Sequence, residues 1–159
     1  MERIIISDLS SAAEAEHLIE LLDDYARSDT GGGEGLPAYT QEHLVAAIKA
    51  RPNMHVILAY INDVPAGVVI AIDSFSTFSC KPILNIHDVS VRAQFRGKGL
   101  AGRMMTVAED IARSKGCCKL TLEVLEGNEP AKRAYRALGY DGYELDPAMG
   151  KAMFWQKKL

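Results

Sequence analysis

Val91-Arg92-Ala93-Gln94-Phe95-Arg96-Gly97-Lys98-Gly99-Leu100-Ala101-Gly102 is the stretch whose reading decides the fold. It leaves residues 83–91, a strand-like run in which Ile86, Val89 and Val91 are prominent. It enters residues 99–115, where Leu100, Met104, Val107 and Ile111 recur at helical spacing and Gly116 is the expected stop. The stretch is therefore a strand-to-helix turn. Gly97, Gly99 and Gly102 carry no Cβ, so backbone N–H groups there can approach a ligand closely. A helix start adds unpaired N–H donors and a partial charge of about +0.5. Arg92, Arg96, Lys98 and Arg103 add positive charge in the same stretch. The turn is a candidate polyphosphate site. The alternative is a plain helix start ringed by solvated cations.

The spacing limits which polyphosphate. A Walker loop needs Ser or Thr after its lysine to hold magnesium, and here Gly99 follows Lys98. Gly97-x-Gly99-x-x-Gly102 fits the bare dinucleotide-binding pattern, and Glu123 lies beyond it near the spacing of a ribose ligand. That pattern belongs early in a parallel sheet, however, and here it follows four expected strands.

Outward from the turn, residues 3–7 (Ile4, Ile5 and Ile6) read as a first strand. Ser11-Ala12-Ala13-Glu14 reads as a capping box opening a helix whose apolar face is Leu18, Leu21, Leu22 and Tyr25. Residues 28–39, with four glycines and a proline, read as a mobile loop. Thr40 is the expected cap of a short helix with Leu44, Val45 and Ile48 inward, ended by Pro52. Residues 54–61 and 64–72 form an expected hairpin about Asn62-Asp63. Beyond the turn and its helix come a strand at 119–125, a helix at 130–138 capped by Asn128 or Glu129, and strands at 140–145 and 151–156. A βαβ step from residues 83–91 to 119–125 predicts a parallel pair inside an otherwise antiparallel, mixed α/β sheet.

The chain has 159 residues, which suits one domain spanning 1–159. Lys plus Arg is 18 and Asp plus Glu is 21, a net charge of −3, which argues against a nucleic-acid partner. No apolar run reaches the roughly 18 residues of a membrane span, and residues 1–6 do not read as a signal peptide. Cys80, Cys117 and Cys118 are too few for a disulfide framework or a zinc site, so the expectation is a reduced, cytoplasmic protein with no metal and small buried thiols.

Gln94-Phe95-Arg96-Gly97-Lys98-Gly99 and Arg96-Gly97-Lys98-Gly99-Leu100-Ala101 both resemble the Gln/Arg-x-x-Gly-x-Gly/Ala pyrophosphate motif of the GNAT N-acetyltransferase superfamily. Asn128-Glu129-Pro130-Ala131-Lys132-Arg133-Ala134-Tyr135-Arg136-Ala137-Leu138-Gly139-Tyr140 resembles its second motif, at the family's separation. Phe75-Ser76-Thr77-Phe78, Asn85-Ile86-His87-Asp88 and residues 117–124 resemble a bacterial-type subgroup and supply no substrate. The resemblance is strong over residues 83–140 and covers the chain in outline. It implies a mostly antiparallel twisted sheet of about seven strands flanked by about four helices.

It also implies roles. Val89, Ser90 and Val91 would pair with the pantetheine arm of acetyl-CoA as an added strand. Arg96, Gly97, Lys98, Gly99, Leu100, Ala101 and Gly102 would hold its pyrophosphate. Asn128 would hydrogen-bond the pantetheine region or simply cap its helix. Tyr135 matches the family's general acid, protonating the departing CoA thiolate; its bland reading is a core aromatic. An amine of pKa about 10.4 needs a base at neutral pH. Glu123, at the end of its strand, is one candidate, and Asp88 and His87 are its competitors. A thiol nucleophile is not required. Phe75, Phe78 and Tyr39 could line an acceptor pocket, with Asp29 and Glu34 attracting a cationic amine. The implied activity is direct acetyl transfer to an amine, with a small molecule favoured over a protein N-terminus or lysine. An acyl-CoA sensor or inactive relative is the alternative. A homodimer is common in the family, and nothing in this sequence marks its interface.

Overall fold

β1 (Glu2–Ser7), β2 (Met54–Ile61), β3 (Val64–Ser76) and β4 (Lys81–Val91) pair antiparallel in turn, and β5 (Lys119–Leu122) joins β4 in parallel. The computed structural model describes residues 1–159, and its sheet runs in the order β1-β2-β3-β4-β5. Four helices accompany it: α1 (Ala12–Arg27), α2 (Ala38–Lys49), α3 (Leu100–Ser114) and α4 (Glu129–Ala137). The mixed, mostly antiparallel sheet is as expected. It also removes the dinucleotide-binding alternative, which requires a parallel sheet.

Local chemistry explains most boundaries. Ser11 caps α1 by accepting from the Glu14 amide. The reciprocal half of the expected box is missing, because the Glu14 carboxylate accepts from Ser7 Oγ at 2.6 Å and ties α1 to the end of β1. Asn62 and Asp63 take φ of 50° and 62°, the left-handed pair of a tight hairpin turn. α2 begins at Ala38 after Pro37, so Thr40 lies inside its first turn rather than capping it. Pro37 brings a fixed φ to this helix start and no side-chain hydrogen bond to its first turn.

Alternation along β2 and β3 divides the core between two faces. Val56, Leu58, Tyr60, Val68 and Ile70 join Leu18, Leu21 and Leu22 of α1 and Ile48 of α2 in one buried cluster. Ile57, Ala59, Gly67 and Val69 alternate with these and turn to the other face, against which α3 lays Leu100, Met104, Met105 and Ala108. Contact there is close: a Cβ on Gly67 would fall 2.8 Å from Met104 Cε.

The sheet has five strands rather than about seven. β5 ends at Leu122, not at residue 125. The expected strands at 140–145 and 151–156 are reduced to one bridge, Glu144 with Lys151, beside a bond from the Ala152 amide to the Tyr143 carbonyl. Asp141 and Gly142 are poor strand formers, and a lone two-stranded pairing is marginal in water. By its contacts the chain divides into two compact units, Met1–Leu122 and Glu123–Leu159. The first holds the whole sheet and α1 to α3; the second holds α4 and has no buried residue. No helix is long and apolar enough to cross a membrane.

Candidate active site

β4 carries a bulge at the point where chemistry-bearing residues meet. Against β3, Ile70 stands opposite Asp88 while its neighbour Ala71 stands opposite Ile86, so His87 is an extra residue in β4. The bulge resets the alternation. Ile86 and Asp88 are two apart, which in a regular strand places them on one face. Instead Asp88 shares the face of Ile70, the side that packs α1 and α2. The same region ends the parallel ladder, whose last pair is Ile86 with Leu122. From His87 through Asp88, Val89, Ser90 and Val91, β4 is paired with β3 alone. Apart from the Val91 carbonyl, which Arg96 occupies, this edge is open to an extended ligand.

Asp88 is half-buried, and burial raises its carboxyl above the usual range, with His87 opposing the shift when charged. Tyr25 of α1 senses it. Its phenol is pushed up, first by burial and then by the charge of Asp88. Sequence reading placed Tyr25 only in an apolar stripe; its signal was a hydroxyl at the end of that stripe. His87 is exposed.

The turn after β4 is built for an anion. Gly97 and Gly99 adopt φ of 75° and 74°, left-handed values that only glycine takes without strain. The amides of Gly97, Gly99, Leu100, Ala101 and Gly102 have no backbone acceptor, and that of Lys98 closes the turn at Arg96-Gly97. The first turn of α3 accounts for some of these, and Gly99 at its N-cap offers no side chain. A run of free amides at a helix start is an anion cradle.

The cations of the turn are less available than their number suggests. Arg92 donates from Nε to Asp24 at 2.5 Å, from Nη2 to Glu20 at 3.2 Å and from Nη1 to the Pro65 carbonyl at 3.0 Å. Arg103 is bound to Glu2. Arg96 gives its Nε to the Val91 carbonyl at 2.8 Å. Lys98 is held by no bond from its side chain.

The second unit carries the other candidates. Asn128 caps α4, accepting from the Ala131 amide at 3.3 Å. Tyr135 is half-buried on α4, and its ring tilts against that of Tyr140 at 6.0 Å. Glu123 lies just past the end of β5 and is exposed, so it is not a strand residue.

The remaining residues of the sequence reading are placed as follows. Phe75 pairs with Pro82 near the tip of the β3–β4 hairpin. At about 3.4 Å per residue, it stands roughly 17 Å along β4 from His87. Phe78, beyond it, is exposed. Tyr39 stacks on His43. The thiols are not buried: Cys80 and Cys118 are exposed and Cys117 is intermediate. The glycine loop is tied to α1. Asp23 anchors it, accepting from the Leu36 amide at 2.7 Å and from Arg27 at 2.8 Å, and both bonds lower its carboxyl.

The profile of the Acetyltransferase (GNAT) family matches residues 15–140. The chain belongs to that family. Among curated GNAT relatives, streptothricin acetyltransferase of Streptomyces lavendulae is 42% identical over 66 residues, covering 42% of this chain and 35% of that one. The chain therefore spans about a third of that relative's length. A thialysine N-epsilon-acetyltransferase of Caenorhabditis elegans is 29% identical over 126 residues, 79% of this chain and 76% of that one. In three dimensions the GNAT fold of this chain superposes on AAC(6')-Iy in complex with a CoA-acetylneamine bisubstrate analog, with TM-score 0.77 and 16% identity over 100% of this chain and 99% of that one.

Proposed function

We propose that this protein is an acetyl-CoA-dependent N-acetyltransferase that moves the acetyl group directly to a primary amine of a small, cationic acceptor in a ternary complex. One observation carries the reading: a glycine turn and helix start at residues 97–102, with amides short of acceptors, lies five residues beyond a stretch of β4, residues 87–91, that pairs with β3 alone. A diphosphate on the first and an extended amide-bearing arm on the second describe the two ends of coenzyme A. The relatives named for streptothricin and thialysine, and the neighbour bound to an acetylneamine analog, favour a small amine.

The chemistry then follows. The amine attacks the thioester carbonyl, and an amide of the bulged segment stabilises the oxyanion. Nitrogen loses a proton, and the sulfur leaves with its bonding electrons and takes a proton. Tyr135 is the proton donor to sulfur. Asp88 is the proton acceptor we favour over Glu123 and His87, because it is half-buried on the bulge while Glu123 and His87 are exposed, and burial raises its carboxyl. Asn128 bonds the pantetheine arm.

The test is calorimetric titration with acetyl-CoA, followed by a thiol-release assay across an amine panel that includes small polyamines, aminoglycosides and lysine peptides. Binding with release on small amines is the expected result. Binding without release on any amine would replace the enzyme with an acyl-CoA sensor. No binding would overturn the reading of the turn.

A further inference from the structure

Arg103 belongs by sequence with the cations of the phosphate turn, and its geometry gives it a different task. Its Nε and Nη2 donate to the two carboxylate oxygens of Glu2 at 2.6 and 2.5 Å, a fork-to-fork pair. The pair holds the Glu2 carboxyl below its usual range, so the charge of Arg103 is already matched. The remaining nitrogen, Nη1, donates to the Lys98 carbonyl at 2.9 Å. The Arg103 amide donates to the Gly99 carbonyl at 3.2 Å.

The Lys98 carbonyl is the part of the turn that most needs holding. The Lys98–Gly99 peptide runs into a residue with no Cβ to resist rotation, and Gly97 precedes it. Turning that peptide over would exchange the Gly99 N–H for the Lys98 C=O, presenting an acceptor to an incoming anion. A guanidinium on that carbonyl opposes the flip. Glu2, on the first strand, fixes the guanidinium from behind. The packing is close enough that a Cβ on Gly99 would lie 3.0 Å from Arg103 Nη1.

We propose that Arg103, latched by Glu2, is a positioning residue for the acyl-CoA pyrophosphate: it locks the Lys98–Gly99 peptide with its amide toward the anion and does not itself bind the phosphates. The proposal rests on the assignment of the turn to the pyrophosphate.

The test is calorimetric titration of coenzyme A into the full chain and into Glu2→Gln and Arg103→Met, with the melting temperature of each recorded first. A positioning pair requires both variants to weaken coenzyme A by about ten-fold, the loss of one charge-assisted hydrogen bond. In turnover the loss falls on KM for acetyl-CoA, rising with Kd, rather than on kcat. The Glu2→Gln result decides. If Arg103 were a direct phosphate ligand, releasing it from Glu2 would tighten binding; tighter or unchanged affinity overturns the latch. Should Arg103→Met fail to fold, Glu2→Gln, which leaves the arginine in place, carries the test alone. An unsubstituted protein that binds no coenzyme A overturns the turn's assignment and the latch with it, and is told apart because no substitution is involved.

Discussion

Burial raises the Asp88 carboxyl, so the folded protein keeps that proton to higher pH than the unfolded chain does. Stability therefore falls as pH rises from the ordinary carboxylate range through the raised value, and stays lower above it. Asp88→Asn is expected to raise the melting temperature at pH 7 by a few degrees, with the gain vanishing toward pH 4. The same variant is expected to lose most of kcat/KM and the acid limb of its pH profile, whereas Glu123→Gln keeps both. A stabilised variant with full activity would remove Asp88 as the base. Tyr135→Phe is expected to lower kcat by about 10²-fold with acetyl-CoA affinity little changed, the ordinary contribution of a general acid; stopped-flow thiol release measures it. The sequence made the types of Asp88, His87 and Tyr135 legible. It did not show which face Asp88 occupies, because a single inserted residue in β4 decides that, and no local pattern marks the insertion. Tyr25 and Arg103 were hidden for a related reason: their partners, Asp88 and Glu2, are distant in sequence.

The strand-turn-helix element was legible almost to the residue, because glycines at positive φ, a β-branched run before them and an apolar stripe after them all agree. The C-terminal strands were not. Their aromatic and apolar residues suggested strands, but Asp141, Gly142 and Gly150 oppose extended pairing, and only the Glu144–Lys151 bridge forms. Between β3 and α3 the element scale turns on Gly67. A Cβ there meets Met104 Cε at 2.8 Å and the Ser90 carbonyl at 3.0 Å. The methionine can move; the carbonyl is backbone of β4 facing β3, in the segment whose opposite edge is assigned to pantetheine. Gly67→Ala is thus expected to destabilise the protein by about 1–3 kcal/mol through overpacking, read by urea denaturation. It is also expected to weaken coenzyme A, since relief must come by shifting β4. Lost stability with unchanged affinity would show that Met104 alone gives way.

At the scale of the molecule the two units differ in what holds them. Ile57, Leu58, Ala59, Val68 and Val69 have no solvent exposure, and amides among them open only when the whole sheet does. Residues 123–159 include none that is buried, and α4 has nine residues, too few to persist on helix propensity alone. Hydrogen exchange without ligand is therefore expected to be slowest in β2 and β3 and faster by orders of magnitude in α4. Coenzyme A should change this in two places for two reasons. Amides of Gly97 to Gly102 gain acceptors and slow directly. If Asn128 and Tyr135 bind the pantetheine arm, the second unit gains ligand contacts that its own residues do not supply, and α4 slows as well. Exchange measured by mass spectrometry at saturating coenzyme A separates these. Protection of residues 97–102 with α4 unchanged would keep the pyrophosphate site and remove Asn128 and Tyr135 from the pantetheine arm. Protection in both would mean that the weakly packed second unit is ordered by the cofactor.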